Sequence, residues 1–142
     1  MLRVVLDTNQ LVKALMRPPE LATFMMAWDS RRFTVLCSPE LVKEYQLVLN
    51  YPEIAKLIYP ELLRAFQSHL IHDFEIIDLP QIPQLCRDPD DDKVIATALY
   101  GRADYLLTED QDLKTDALIK LFDETGIQIV TMDRFIRILD KM

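Results

Sequence analysis

Glycine is nearly missing from this 142-residue chain, with two in all. That scarcity excludes a flexible linker or a disordered tail, which need permissive backbone and few apolar residues. Cysteine is equally rare: Cys37 and Cys86 lack Cys-x-x-Cys spacing and read as free thiols in a reduced compartment. No apolar run approaches the roughly 20 residues of a membrane span. The start, Met1 to Asp7, lacks the apolar stretch of a signal peptide. A cytoplasmic protein with no membrane association is therefore expected. Basic charge is also short, 16 Lys and Arg against 23 Asp and Glu, for a net charge of −7. This argues against a non-specific electrostatic grip on nucleic acid. A polyanionic substrate would need metal ions, a local basic rim or a partner's charges to meet it.

What remains is a compact chain, half hydrophobic, with one domain expected over residues 1–142. Arg3 to Leu6 is a short apolar strand ending at Asp7, and Thr8 and Asn9 open a helix to about Met16, punctuated by Pro18 and Pro19. Leu21 to Trp28 reads as a second helix, in which Leu21, Phe24 and Met25 are assigned to core packing. Phe33 to Cys37 is strand-like. Ser38 and Pro39 are a cap and first position for a helix through Leu49, and helical segments follow Pro52 to about Leu70. Phe74 to Leu79 reads as a strand, Lys93 to Tyr100 as a buried helix, and Asp104 to Leu107 and Ile127 to Val130 as strands. Thr131 caps a last helix carrying Phe135, Ile136 and Leu139. The alternation predicts a three-layer α/β/α sandwich around a central, mainly parallel sheet, with ligands beyond the strands' carboxyl ends.

Four acids stand out: Asp7, Glu44, Asp92 and Asp110. Asp7 and Asp110 each follow an apolar strand. Glu44 falls in the apolar stripe of Leu41, Tyr45 and Val48, where a carboxylate needs either a basic partner or a cation. Asp88, Asp90, Asp91 and Asp92 do not make a calcium loop: the sixth position lacks Gly and the twelfth is Leu99. Because the following helix is apolar almost all round, periodicity does not choose between Asp91 and Asp92. If such acids converge, mutual repulsion demands divalent cations, which points to Mg²⁺ or Mn²⁺ and phosphodiester chemistry.

The ordered motifs resemble a known family. They are Val4 to Asn9 followed by Arg17-Pro18-Pro19, Ser38-Pro39-Glu40-Leu41 with Glu44, and Cys86 to Lys93 with its run of acids. Ile95-Ala96-Thr97-Ala98-Leu99, Ala103 to Leu113 and Ile127 to Thr131 complete the set. Together they resemble the PIN domain nucleases, closest to the VapC-like toxin components of toxin–antitoxin pairs. The resemblance places the third acid at Asp92, three residues before the Ile95-Ala96 pair. It implies an endoribonuclease that cuts single-stranded RNA, with Asp7, Glu44, Asp92 and Asp110 holding Mg²⁺ or Mn²⁺. Asp112 is an outer contributor, and Asn9 and Thr108 orient ligands or water. Arg17, Arg87 and Lys93 are candidate phosphate contacts. Glu109 departs from the Gly of many relatives and adds charge beside the site. A cognate antitoxin and a homodimer or larger assembly are the expected partners.

Rival readings are a flap-endonuclease-like DNA nuclease, a phosphatase with Asp7 as nucleophile, and a non-catalytic binding module of the same fold. The first lacks its extra clamp segments here. The second wants an Asp where Asn9 stands. All four acids are present, so the sequence itself carries no loss of catalysis.

Overall fold

The computed structural model describes residues 1–16, 19 and 21–142. Five parallel strands form one sheet in the order β3-β2-β1-β4-β5. They are β1 (Leu2–Leu6), β2 (Phe33–Cys37), β3 (Glu75–Ile76), β4 (Tyr105–Leu107) and β5 (Gln128–Val130). Eight helices are described around it: α1 (Thr8–Met16), α2 (Ala22–Asp29), α3 (Pro39–Leu49), α4 (Pro52–Ala55), α5 (Pro60–His72), α6 (Pro89–Gly101), α7 (Asp116–Thr125) and α8 (Met132–Asp140). The expected α/β sandwich with a parallel sheet is what the chain adopts.

Central β1 is apolar because both its faces are covered, and Val4, Val5 and Leu6 are fully buried. It pairs Val4 with Val35 of β2 on one side and Leu6 with Leu107 of β4 on the other. Aromatic rings fill the layer against α2 and α8, with Phe33 5.3 Å from Phe24 and 5.2 Å from Phe135. Leu21, Phe24 and Met25 are buried in this core. Gly101 ends α6 where a Cβ would sit 2.8 Å from Leu36, so the helix lies close on the sheet only because that side chain is absent.

Local signals act where the sequence put them. The Ser38 hydroxyl accepts from the Leu41 amide at 3.2 Å, and the Thr131 hydroxyl accepts from the Arg134 amide. The strand expected over Phe74 to Leu79 shrinks to Glu75–Ile76. It is an edge strand, its last ladder contact is Ile77 N–H to the Cys37 carbonyl, and Pro80 lies just beyond. Helix α7 was not anticipated, although the Thr115 cap, the buried Leu118 and Phe122, and the left-handed Gly126 form a complete helix signal.

The chain winds β1, β2, β3 toward one edge, then returns through α6 to start β4 on the other side of β1. The strand order therefore reverses between β1 and β4. In open parallel sheets the crevice at such a reversal, beyond the carboxyl ends, is where ligands bind.

Candidate active site

Asp7 is the first residue past β1, and its amide donates to the Leu107 carbonyl at 3.0 Å, so it stands directly over the β1–β4 crevice. The residue is buried, 7 % exposed. The Thr108 hydroxyl donates to Asp7 Oδ2 at 2.7 Å and accepts from the Asp110 amide at 3.0 Å. One buried hydroxyl thus ties the acid of β1 to the acid that follows β4. Burial pushes the Asp7 carboxyl above its ordinary value, opposed by the bonds from Thr108 and the Thr8 backbone, with Asp110 and Glu44 raising it further.

Asp110 opens a 3-10 turn, Gln111–Leu113, and its Oδ1 accepts from the Asp112 amide. This local turn brings Asp112 alongside. Carboxylate oxygens of Asp91, Asp110 and Asp112 lie within 4.8 Å of one another. Asp91 stands in the first turn of α6, and its carboxyl is pushed up to about 7. Burial contributes most, followed by the charges of Asp110, Asp7, Asp88 and Asp112. A helix N-terminus favours the ionised form, and burial with the neighbouring acids acts against it. Three half-buried acids and the buried Asp7 therefore share one negative field.

Asp92, which the family pattern pointed to, is not among those three acids. Its Oδ1 accepts from the amides of Leu85 and Cys86 at 2.9 and 2.7 Å, and it is 4 % exposed. Successive helix positions diverge by about 100°, so Asp91 and Asp92 leave α6 in different directions, although both charges act on the Cys86 thiol. The loop before α6 presents two amides that only an acceptor at position 92 satisfies. The three-acid group contains Asp91, while Asp92, the residue the resemblance named, is bonded to the loop amides. Hydrogen bonding to Asp92 and burial push the Cys86 thiol up to about 12, burial being the larger cause.

Glu44 faces inward from α3 as its spacing required, and it has a basic partner: Lys93 Nζ lies 3.2 Å from Oε1. The other oxygen accepts from the Thr8 hydroxyl. Glu44 is therefore linked through Thr8 to the residue beside Asp7, and its charge acts on Asp7, but it is neutralised by Lys93. Lys93 also approaches Asp90 at 3.7 Å, so this ammonium is held by carboxylates and is not a free phosphate contact. Arg87 is exposed, while Arg17 lies outside the described residues. Glu109, the departure from the family pattern, pairs with Lys13, which offsets the added charge.

Beside the acids opens a cavity of about 660 Å³ lined by Asp7, Asn9, Gln10, Val12, Lys13, Met16, Ile54, Glu109, Asp110 and Gln111. Asn9 is at its exposed rim. Gln10 is 1 % exposed, and among the described residues neither its amide nitrogen nor its oxygen has a hydrogen-bond partner. An unbonded buried amide costs on the order of 1–3 kcal/mol per group. Sequence reasoning passed over Gln10, since a polar residue after Thr8 and Asn9 reads as solvated. No sequence signal marks a buried, unpaired amide.

The donor set suits a hard cation. Three carboxylates converge with the charge of Asp7 acting on them, no imidazole is among them, and the nearby Cys86 thiol is held protonated. His69, buried away from the acids, bridges Asp29 and Asp73 and stacks on Trp28, which is a structural use.

Residues 3–112 match the model of the PIN domain family. Among solved structures, the chain is similar to the crystal structure of VapBC2 from Rickettsia felis bound to a DNA fragment from their promoter. The TM-score is 0.53 at 17 % identity, covering 92 % of this chain and 98 % of that one, a likeness of fold. No curated protein matches the sequence at a significant level.

Proposed function

The chain belongs to the PIN domain family, and on that premise we propose that it is a metal-dependent endoribonuclease acting on single-stranded RNA. The observation that carries this reading is the clustering of Asp91, Asp110 and Asp112, with Asp7 tied to Asp110 through Thr108, at the point where the strand order reverses. Asp7, Asp91 and Asp110 would hold one or two Mg²⁺ or Mn²⁺ ions, with Asp112 contributing at the side. Such ions supply polarisation of a phosphate oxygen and a lowered pKa for an attacking water.

The chain's own residues prepare that site. Thr108 fixes the Asp7 carboxylate and the Asp110 backbone in one arrangement, the kind of outer contact that sets ligand orientation. Thr8 and Lys93 hold Glu44 close by, where it deepens the negative field without adding a free charge. Asp92 secures the loop over the start of α6 and so fixes the direction of Asp91. Asn9, at the rim, is placed to meet a phosphate or a water. No covalent nucleophile is needed, and the protonated Cys86 is unsuited to be one.

The resemblance to VapC-like toxins and the VapBC2 fold neighbour support a role as the toxin of a toxin–antitoxin pair. In that role a small partner protein would restrain the nuclease. Within the described residues no helix is long and apolar enough to cross a membrane.

The test is cleavage of a labelled single-stranded RNA panel, with a DNA control, in Mg²⁺, Mn²⁺ or EDTA. Wild type should cut RNA only with metal. Asp7→Asn should lose more than about 100-fold, beyond the 10–100-fold typical of outer-contact changes. Metal-independent cleavage, or equal cleavage by the variant, would remove the proposal.

A further inference from the structure

The cavity beside the carboxylates has a character the metal chemistry does not use. Its lining includes the apolar Val12, Met16 and Ile54, while Asn9, Gln10 and Gln111 share it with the acids, the Gln10 amide itself being buried behind the surface. Binding sites for planar organic groups have this make-up, apolar walls with a few placed polar groups, at volumes of about 300–1,000 Å³. The Gln10 amide is buried with donor and acceptor both unbonded among the described residues. A rotation about its side-chain torsions that brings the amide to a ligand therefore breaks no existing hydrogen bond.

We propose that this cavity is a nucleobase subsite, in which the base next to the cut lies against Val12, Met16 and Ile54 and the Gln10 carboxamide reads its edge. A carboxamide offers one N–H and one C=O side by side, the pattern that matches the N6 amino group and N7 of adenine. The negative field of Asp7 and Asp110 further favours a base that presents an amino group over one that presents only carbonyls. Adenine is therefore the expected occupant. Single-stranded RNA can offer it, because its bases unstack and splay into pockets where duplex bases cannot. The inference deepens the proposed nuclease function and takes its substrate from it, yet the subsite can be read without any cleavage.

The binding arm uses the full-length protein in EDTA, titrated with AMP, UMP, GMP and CMP while the Gln10 side-chain amide and the Met16 methyl are followed by NMR. AMP should shift both signals at lower concentration than UMP, and Gln10→Leu should weaken AMP binding on the order of tenfold or more. Gln10→Leu removes an unbonded buried amide, so it should fold; Gln10→Met is a second variant of closer shape. The cleavage arm varies one base beside the cut in an otherwise fixed RNA. Wild type should prefer adenine there, and both variants should lose that preference while their melting temperatures do not fall. No shift with AMP, or equal AMP binding by Gln10→Leu, overturns the subsite. So does wild-type cleavage with no base preference. AMP shifts without any RNA cleavage would keep the subsite and sink the nuclease reading instead.

Discussion

Replacing Asp91 by Asn should make the cation-free protein more stable while removing its response to metal. The Asp91 carboxyl is pushed from the ordinary 3.8 to about 7 in the folded chain by burial and by Asp110, Asp7, Asp88 and Asp112. For an acid whose folded value is raised, the unfolded chain loses its proton first. Stability contributed by the protonated form is therefore present below about pH 4, declines through the interval up to about 7, and is absent above it. Converting the whole interval at 1.36 kcal/mol per pH unit gives about 4 kcal/mol. Asp91 is only half-buried, water screens its neighbours, and the acids titrate together, so about 1–2 kcal/mol is the expected size. In metal-stripped buffer at pH 8, Asp91→Asn should gain that amount in urea unfolding, or about 2–6 °C in melting temperature. The gain should be smaller at pH 5. Adding Mn²⁺ should stabilise the wild type by mass action and the variant far less. A variant equal to or weaker than wild type at pH 8 without metal would refute the idea that these carboxylates repel one another.

Three further outcomes follow from neighbouring contacts. Asp92→Ala should cost about 2–4 kcal/mol, because two loop amides lose a charged acceptor; thermal unfolding with unchanged stability would count against that placement. The same substitution should speed iodoacetamide labelling of Cys86 several-fold, since Asp92 helps hold that thiol at about 12. Equal labelling rates by mass spectrometry would show that Asp92 does not act on the thiol. Thr108→Val should reduce metal affinity or cleavage by about 10–100-fold with the fold retained, measured by Mn²⁺ titration; wild-type affinity would deny the hydroxyl its orienting role.

Much of this architecture is written in local signals. The runs that became β1 and β2 are continuous and apolar because both sheet faces are covered, and Ser38-Pro39 and Thr131 mark helix starts that the structure bears out. Helix α7 carries equivalent signals in its Thr115 cap and left-handed Gly126, so it too is legible from the residues. The choice between Asp91 and Asp92 was different in kind. Helix α6 is buried on most sides, which erases the periodicity, and the deciding partners are amides of a loop with no pattern of its own. Pairings across the fold, Lys93 with Glu44 and Lys13 with Glu109, are likewise set by where elements land. Glu44 illustrates the limit well. Its inward position was legible, whereas the basic partner on α6 was not.

Diffraction from crystals soaked in Mn²⁺, recorded for its anomalous signal, addresses the core of the account most directly. The expected result is a peak within coordination reach, about 2.2 Å, of carboxylate oxygens from Asp110 and Asp91 over the β1–β4 crevice. A soaked crystal with no peak there, or with the ion held by Asp92 and Glu44 away from Asp110, would contradict it.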